Sequence, residues 1–363
     1  MKHTELRISK SKLLNNFNFF KSKLLSSTKL LIMVKANGYG LGDIEIARLV
    51  QEFGADYLGV AYISEGIKLR EAGIEGPIII FTPGVDNFEQ LIEYNLEPGI
   101  INKEAFEAIS TAVQNTNLKE YPIHIKLDTG MQRVGFDTSS LKDLKRLVMS
   151  KQNLKIGSIF SHLAAADEPK HDSFTREQIE SFCKMSYEIT SLLDYVPMRH
   201  ILNSPGIERF TYAQMDMVRL GIGLYGTSCL GDPKVRPVAS YVTPVIYVKE
   251  VKEGSVGYGR HGKVDSKVKK IATVPVGYAD GVDRHLGRGN IKFYVNDIAV
   301  PTIGNICMDT FMIDITDTNV KIGDQVTLFG EKPHPSVLAK ELDTITYEIF
   351  TSVSSRVKRV VTE

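Results

Sequence analysis

The sequence predicts an α/β protein: a (β/α)8 barrel of the TIM type over residues 1–234, then a mainly β domain over 235–363. Three observations predict it. Strand-like runs separated mostly by amphipathic stretches fill roughly the first 230 residues, close to the about 250 typical of such barrels. The texture changes near GDPKVRP (231–237), and beyond it the runs alternate or are β-branched. A chain of 363 residues also exceeds one ordinary hydrophobic core.

Within residues 11–25, Leu13, Leu14, Phe17, Phe20 and Leu24 fall on one helical stripe. The barrel-strand candidates then follow: LLIMVK (30–35), YLGVAY (57–62), PIIIF (77–81), LEPGII (96–101), IHIKLD (123–128), KIGSIFSHL (155–163), RHILNS (199–204) and VRLGIGLYG (218–226). The fourth is the weakest, because it is short and carries Pro98. After Gly42, the residues Ile44, Ile46, Ala47, Leu49, Val50 and Phe53 line a helix that stops at Gly54. The second domain reads as YVTPVIYVKEV, KKIATVPV, IKFYVNDIAV, FMIDIT and QVTLF, with turns at 295–297 and 322–324.

A net charge of +1 gives no electrostatic reason to expect a nucleic-acid or membrane partner. Cys183, Cys229 and Cys307 are scattered and form neither a disulfide framework nor a metal spacing, which points to a reducing, cytoplasmic setting and no metal. The opening MKHTELRISKSKLL lacks a signal-peptide core, and no apolar run approaches the ~18 residues that span a bilayer.

Active-site groups of such barrels sit at the carboxyl ends of the strands. Lys35 closes the first one. Alone it reads as a lysine reaching for water. Its context differs: Gly38, Gly40 and Gly42 follow at once and let backbone approach a ligand closely. A desolvated lysine loses proton affinity and becomes a Schiff-base amine. Asn203-Ser204-Pro205-Gly206 follows the seventh strand, and Gly221-Ile222-Gly223 interrupts the eighth. Loops at those two positions commonly hold phosphate. A lysine after the first strand facing such a cup implies a phosphorylated aldehyde cofactor, for which pyridoxal 5'-phosphate is the candidate. Arg219, inside the eighth run, reads either as one half of a buried salt bridge or as a cation against the cofactor's ring nitrogen.

VKANGYGLG (34–42), KLDTGMQRVGF (126–136), SHLAAADE (161–168), HILNSPG (200–206), VRLGIGLYG (218–226), SVGYG (255–259), VGYADG (276–281), NICMDT (305–310) and TITYE (344–348) follow in an order that resembles the alanine racemase family over essentially the whole chain. The resemblance implies a homodimer dependent on pyridoxal phosphate that interconverts L- and D-alanine and supplies D-alanine for cell-wall precursors. Lys35 would hold the cofactor covalently and act as the base on the D face. Tyr39, Ser204, Gly221, Ile222 and Tyr347 would hold its phosphate, with Asn203 in support. Arg219 would meet the ring nitrogen and His162 would lie against the ring. Arg133 would bond the phenolic oxygen and help seat the substrate carboxylate, steadied by Lys126, a position often carbamylated in the family. Tyr258 would be the base on the L face, supplied by the partner subunit together with Asp309 and with Met308, whose backbone N–H would hold the substrate carboxylate. Tyr278 and Tyr347 would narrow the substrate entrance.

Two bases suit the reaction, because one group cannot easily reach both faces of a flattened α-carbon. A phenol with an ordinary pKa of roughly 10 needs help to act near neutrality, and a polar chain through His162 and Arg219 would supply it. Without the flanking blocks, Tyr258 reads as a strand aromatic and His162 as a satisfied core histidine. The sequence departs from the commonest family pattern at Asn37-Gly38, Leu41 and Gln132. These flank the carried-over groups, so a serine or broad-specificity racemase stays open. An amino-acid decarboxylase would want an acidic partner at the ring nitrogen, which Arg219 opposes. A non-catalytic cofactor carrier would lack the β domain and the Tyr258 block.

Overall fold

The computed structural model describes residues 3–84, 87–150, 153–265 and 267–363. Its strands are β1 (Glu5–Ser9), β2 (Lys29–Met33), β3 (Tyr57–Val60), β4 (Ile78–Ile80), β5 (Glu97–Ile100), β6 (Tyr121–Lys126), β7 (Leu154–Phe160), β8 (Met198–His200) and β9 (Met217–Leu220). After these come β10 (Ala239–Pro244), β11 (Tyr247–Glu250), β12 (Gly254–Val256), β13 (Gly262–Val264), β14 (Lys270–Val274), β15 (Lys292–Val295), β16 (Ile298–Ile303), β17 (Phe311–Asp314), β18 (Gln325–Phe329) and β19 (Lys358–Thr362).

Eight parallel strands in the order β8-β7-β6-β5-β4-β3-β2-β9 make the barrel wall. The Arg219 N–H donates to the Leu202 carbonyl at 3.0 Å beside β8, so the barrel nearly closes. Leu30, Leu31, Ile32, Ile78, Ile79 and Ile80 are all buried, as expected for parallel strands covered on both faces. Inside, Leu31, Ile79 and Met217 form one cluster, with Met33, Tyr57 and Phe81 packed against it. The segment around Pro98 does form a strand: β5 pairs with β4 and β6 through Ile80↔Pro98 and Gly99↔His124. Helices such as Asp43–Glu52 and Lys103–Gln114 connect the strands, and Asn102 caps the latter by accepting from the Ala105 N–H.

The second unit is built on a nine-stranded sheet, β11-β14-β17-β16-β15-β18-β10-β1-β19, with the ribbon β12–β13 beside it in sequence. Its membership includes two short segments from earlier in the chain. The barrel unit comprises Leu14–Gly38 and Asp43–Val235, whereas Met1–Leu13 and Tyr39–Gly42 group with Arg236–Glu363. The reason is packing. β1 runs antiparallel to β10 and parallel to β19, and its Leu6 and Ile8 are fully buried there. Gly40 lies so close to Phe350 that a Cβ would fall 2.1 Å from that residue's carbonyl oxygen, and Arg359 donates to the Gly40 carbonyl at 2.9 Å.

Leu6→Ala is therefore expected to cost about 2–5 kcal/mol of β-unit stability, measured as a lower urea midpoint by circular dichroism. An unchanged midpoint would remove β1 from the sheet.

Candidate active site

In the barrel unit the functional side chains gather at the carboxyl ends of the strands. Lys35 follows β2 and opens an unusual turn. Ala36 (φ 52°, ψ 53°), Asn37 (φ 55°, ψ 48°) and Gly38 (φ 60°, ψ 46°) are all left-handed, and Tyr39 continues at φ 55°. For L-residues this conformation costs roughly 1–2 kcal/mol each. It is held by the Gly38 N–H on the Val34 carbonyl (2.9 Å) and the Ala36 N–H on Glu65 (2.6 Å). The turn is a left-handed coil of mostly non-glycine residues. Burial lowers the Lys35 pKa from its ordinary value, and the Arg133 charge lowers it further, against an opposing pull from Glu65.

Lys126 ends β6, is 4 % exposed and packs its amine 5.3 Å from the Phe160 ring centre. Burial, helped by the Arg219 charge, pulls its pKa down to about 7. Arg133 stands in the loop beyond. That loop is wound on one carboxylate: Asp128 accepts from the N–H groups of Gly130, Gln132 and Arg133 at 2.9–3.1 Å. Gln132, one of the departures from the family pattern, takes a left-handed φ of 53°.

Arg219 is 4 % exposed in β9. It donates to His200 Nδ1 (2.6 Å), to the carbonyls of Ser161 (2.6 Å) and Ile201 (3.1 Å), and to His162 Nδ1 (3.1 Å). These contacts are backbone carbonyls and imidazole nitrogens. Burial and then the Arg219 charge hold His162 well below the usual imidazole range. Asn203 caps the helix Ser204–Arg209 by accepting from the Gly206 N–H (3.0 Å). The Gly221 and Gly223 N–H groups converge on the Ser204 hydroxyl at 2.9 and 3.2 Å, with Ile222 between them.

The other expected residues belong to the β unit. Tyr39 packs against Tyr347 with ring centres 5.9 Å apart. Tyr278 donates its N–H to the Cys307 carbonyl (3.0 Å), and Gly277 sits so close to Met308 that a Cβ would fall 2.3 Å from its carbonyl oxygen. Tyr278 and Met308 are thus neighbours, and Asp309 accepts from Arg356 at 2.9 Å. Tyr258 is 74 % exposed. Asn305, to which the sequence reading assigned no role, links the two loops by donating to the Tyr258 carbonyl (2.8 Å) while Arg288 donates to its side chain (2.7 Å). His162 and Arg219 are within hydrogen-bond distance, whereas Tyr258 belongs to the β unit. Also missed were Glu97, His124, Ser158 and His200, polar residues inside barrel strands whose signal is a charge or hydroxyl interrupting an apolar run.

Amines, imidazoles and a buried guanidinium at the strand ends, followed in sequence by a mainly β unit, define an enzyme of the barrel-plus-β-domain class. Two family models match the chain: the alanine racemase N-terminal domain over residues 8–229 and the C-terminal domain over 238–361. The chain is 35 % identical to alanine racemase 2 of Caldanaerobacter subterraneus subsp. tengcongensis, over 98 % of this chain and 94 % of that one. It is 36 % identical to the alanine racemase of Halothermothrix orenii, over 95 % and 93 % respectively. Among solved structures, that of alanine racemase from D-cycloserine-producing Streptomyces lavendulae superposes with a TM-score of 0.94 at 30 % identity, covering 100 % of this chain and 98 % of the other. The Bacillus anthracis enzyme with bound L-Ala-P gives 0.91 at 28 %, covering 100 % and 96 %. The chain belongs to the alanine racemase family.

The Lys126 pKa has a thermodynamic consequence. A lysine at about 7 in the fold and about 10.4 unfolded binds fewer protons folded than unfolded between those values. Its burial therefore penalises the fold fully below pH 7, and the penalty is relieved as pH rises toward 10. Lys126→Met should stabilise the protein more at pH 6 than at pH 9.5 in urea titrations run free of carbon dioxide. An equal effect at both would contradict the lowered pKa.

Proposed function

We propose that the chain is a two-base racemase that interconverts L- and D-alanine with pyridoxal 5'-phosphate. The observation that carries the reading is Lys35: an amine at the end of β2, partly buried, with its proton affinity lowered by burial and by Arg133. The barrel residues fit the cofactor. Two backbone N–H groups converge on the Ser204 oxygen, the kind of donor cup a phosphate takes up. Arg219 brings a charge that cannot be given up as a proton. Bound here, the cofactor would supply an aldehyde for the substrate's amino group and a ring that acidifies the α-hydrogen.

The chain's residues do the rest. Lys35 would hold the cofactor, then move a proton at the α-carbon on the D face. Tyr258 would do so on the L face; we assign it to a second copy of the chain, with Met308 and Asp309 beside it. Its exposure of 74 % and that of Met308, 54 %, support a surface that another copy covers. Ser204, Gly221, Ile222, Tyr39 and Tyr347 would bind the phosphate, with Asn203 holding the Ser204 turn. Arg219 would face the ring nitrogen and leave it unprotonated, and neutral His162 would lie against the ring. Arg133 and the Met308 N–H would seat the substrate carboxylate. Lys126, with a pKa of about 7, has a free amine fraction at neutrality able to take up carbon dioxide, and the resulting carbamate would steady Arg133. Tyr278 and Tyr347 would narrow the entrance. The product role we propose is D-alanine for cell-wall precursors, made in the cytoplasm. Among the described residues no helix is long and apolar enough to cross a membrane.

A broader substrate range is the second reading. It is favoured by the turn after Lys35, where Asn37-Gly38 and Leu41 depart from the common pattern; a panel of L-amino acids decides it.

Purified protein should abolish the circular dichroism of L-alanine. Lys35→Ala should remove all turnover together with the visible absorption band that borohydride otherwise traps on Lys35. Tyr258→Phe should lower turnover about 10²–10⁴-fold, as for loss of a positioned acid–base group. Activity that survives Lys35→Ala refutes the reading.

A further inference from the structure

Four polar side chains inside the barrel wall have no part in the proposed reaction, yet they form one chain that ends on Arg219. Glu97 Oε2 lies 2.7 Å from His124 Nε2, and His124 Nδ1 lies 2.6 Å from Ser158 Oγ. Ser158 Oγ is 2.9 Å from His200 Nε2, and His200 Nδ1 is 2.6 Å from Arg219 Nη1. The five residues stand on the consecutive strands β5 to β9. His124, Ser158 and His200 are fully buried, and Glu97 is 16 % exposed at the amino end of β5.

The direction of the bonds nearest Arg219 follows from the guanidinium. A guanidinium has no lone pair to offer, so His200 Nδ1 accepts and the His200 proton sits on Nε2. That proton goes to Ser158, whose own proton then goes to His124 Nδ1. His124 keeps its proton on Nε2 and gives it to Glu97, which as a carboxylate only accepts. With a neutral His124 all four bonds donate the same way, from cation to anion. Reversing the His200–Ser158 bond would leave His200 without a ring proton, because its Nδ1 already accepts from Arg219. Burial and the Arg219 charge independently keep His200 well below the usual imidazole range.

We propose that Glu97, His124 and Ser158 are positioning residues for Arg219: they lock His200 as a neutral acceptor, which fixes where the guanidinium points. The proposal rests on the reading of Arg219 as the partner of the cofactor's ring nitrogen. Its origin is a carboxylate at the opposite end of the barrel wall from Lys35.

The test uses the isolated full chain labelled with ¹⁵N-histidine, its eight histidines assigned by single substitutions. His200 is expected to carry one proton, on Nε2. Ser158→Ala and Glu97→Leu should each broaden His200 into a tautomer mixture and lower kcat about tenfold, the loss of one hydrogen bond, with KM for alanine within about twofold. Ser158→Thr and Glu97→Gln keep an acceptor in place and should restore both the tautomer and kcat. Should Ser158→Ala fail to fold, Glu97→Leu at the partly exposed end reads the same quantity. Protonation of His200 on Nδ1 in the unsubstituted protein overturns the proposal, as do unchanged His200 shifts in the two disrupting variants. The tautomers are read without turnover. A protein with the expected tautomers but no racemisation would refute the proposed function and leave the relay standing; racemisation with His200 in another tautomer would do the reverse.

Discussion

A permanent positive charge sits inside the wall of the barrel, and the surrounding chemistry is organised by it. Arg219 is 4 % exposed in β9, and its named contacts are carbonyls and imidazole nitrogens. A buried cation is tolerable only where each donor finds an acceptor. The Arg219 charge acts on titratable groups nearby. It is the second cause, after burial, of the lowered proton affinity of Lys126, His162 and His200. One fixed charge thereby adds to burial at two imidazoles and an amine.

The two compact units divide the remaining chemistry. Amines, imidazoles and the guanidinium belong to the barrel, whereas Tyr39, Tyr258, Tyr278 and Tyr347 belong to the β unit. Tyr39 makes the division sharp: it lies four residues after Lys35 in the chain, yet packs on Tyr347 in the other unit. The left-handed turn at 36–39 is where the chain passes from one to the other. Its backbone strain is localised where the barrel's amine and the β unit's phenols separate along the sequence, in keeping with strain stored at functional positions.

The eight barrel strands were legible because parallel strands covered on both faces read as short unbroken apolar runs, and each candidate contains or overlaps an observed strand. Even the run with Pro98 formed, since its neighbours supply enough pairing on either side. β1 was not legible. ELRIS contributes only Leu6 and Ile8 to the core, and two alternating residues ahead of a helix carry too little period to register. Its partner β19 lies more than three hundred residues away, so the pairing has no local signature. Groups at strand ends were readable from position and residue type. The relay was not, because Glu97, His124, Ser158 and His200 are 27 to 42 residues apart from one to the next and meet only through strand register. What signal there was lay in the runs themselves: a histidine between Ile123 and Ile125, and a serine ahead of Ile159, occupy sites that an apolar barrel interior would fill with aliphatic side chains.

Those interruptions also explain why the barrel tolerates so much buried polarity. A half-satisfied network in a low-dielectric interior is worse than an apolar core. This one is satisfied because its ends are chemically unambiguous, a group that can only donate and a group that can only accept. Between them each imidazole nitrogen and the hydroxyl has a partner. An aliphatic filling would pack equally well but would leave Arg219 without the Nδ1 acceptor that lies 2.6 Å away. The polar interior is thus the consequence of placing one cation in β9, and its cost in desolvation is accepted in exchange for a charge whose direction is fixed.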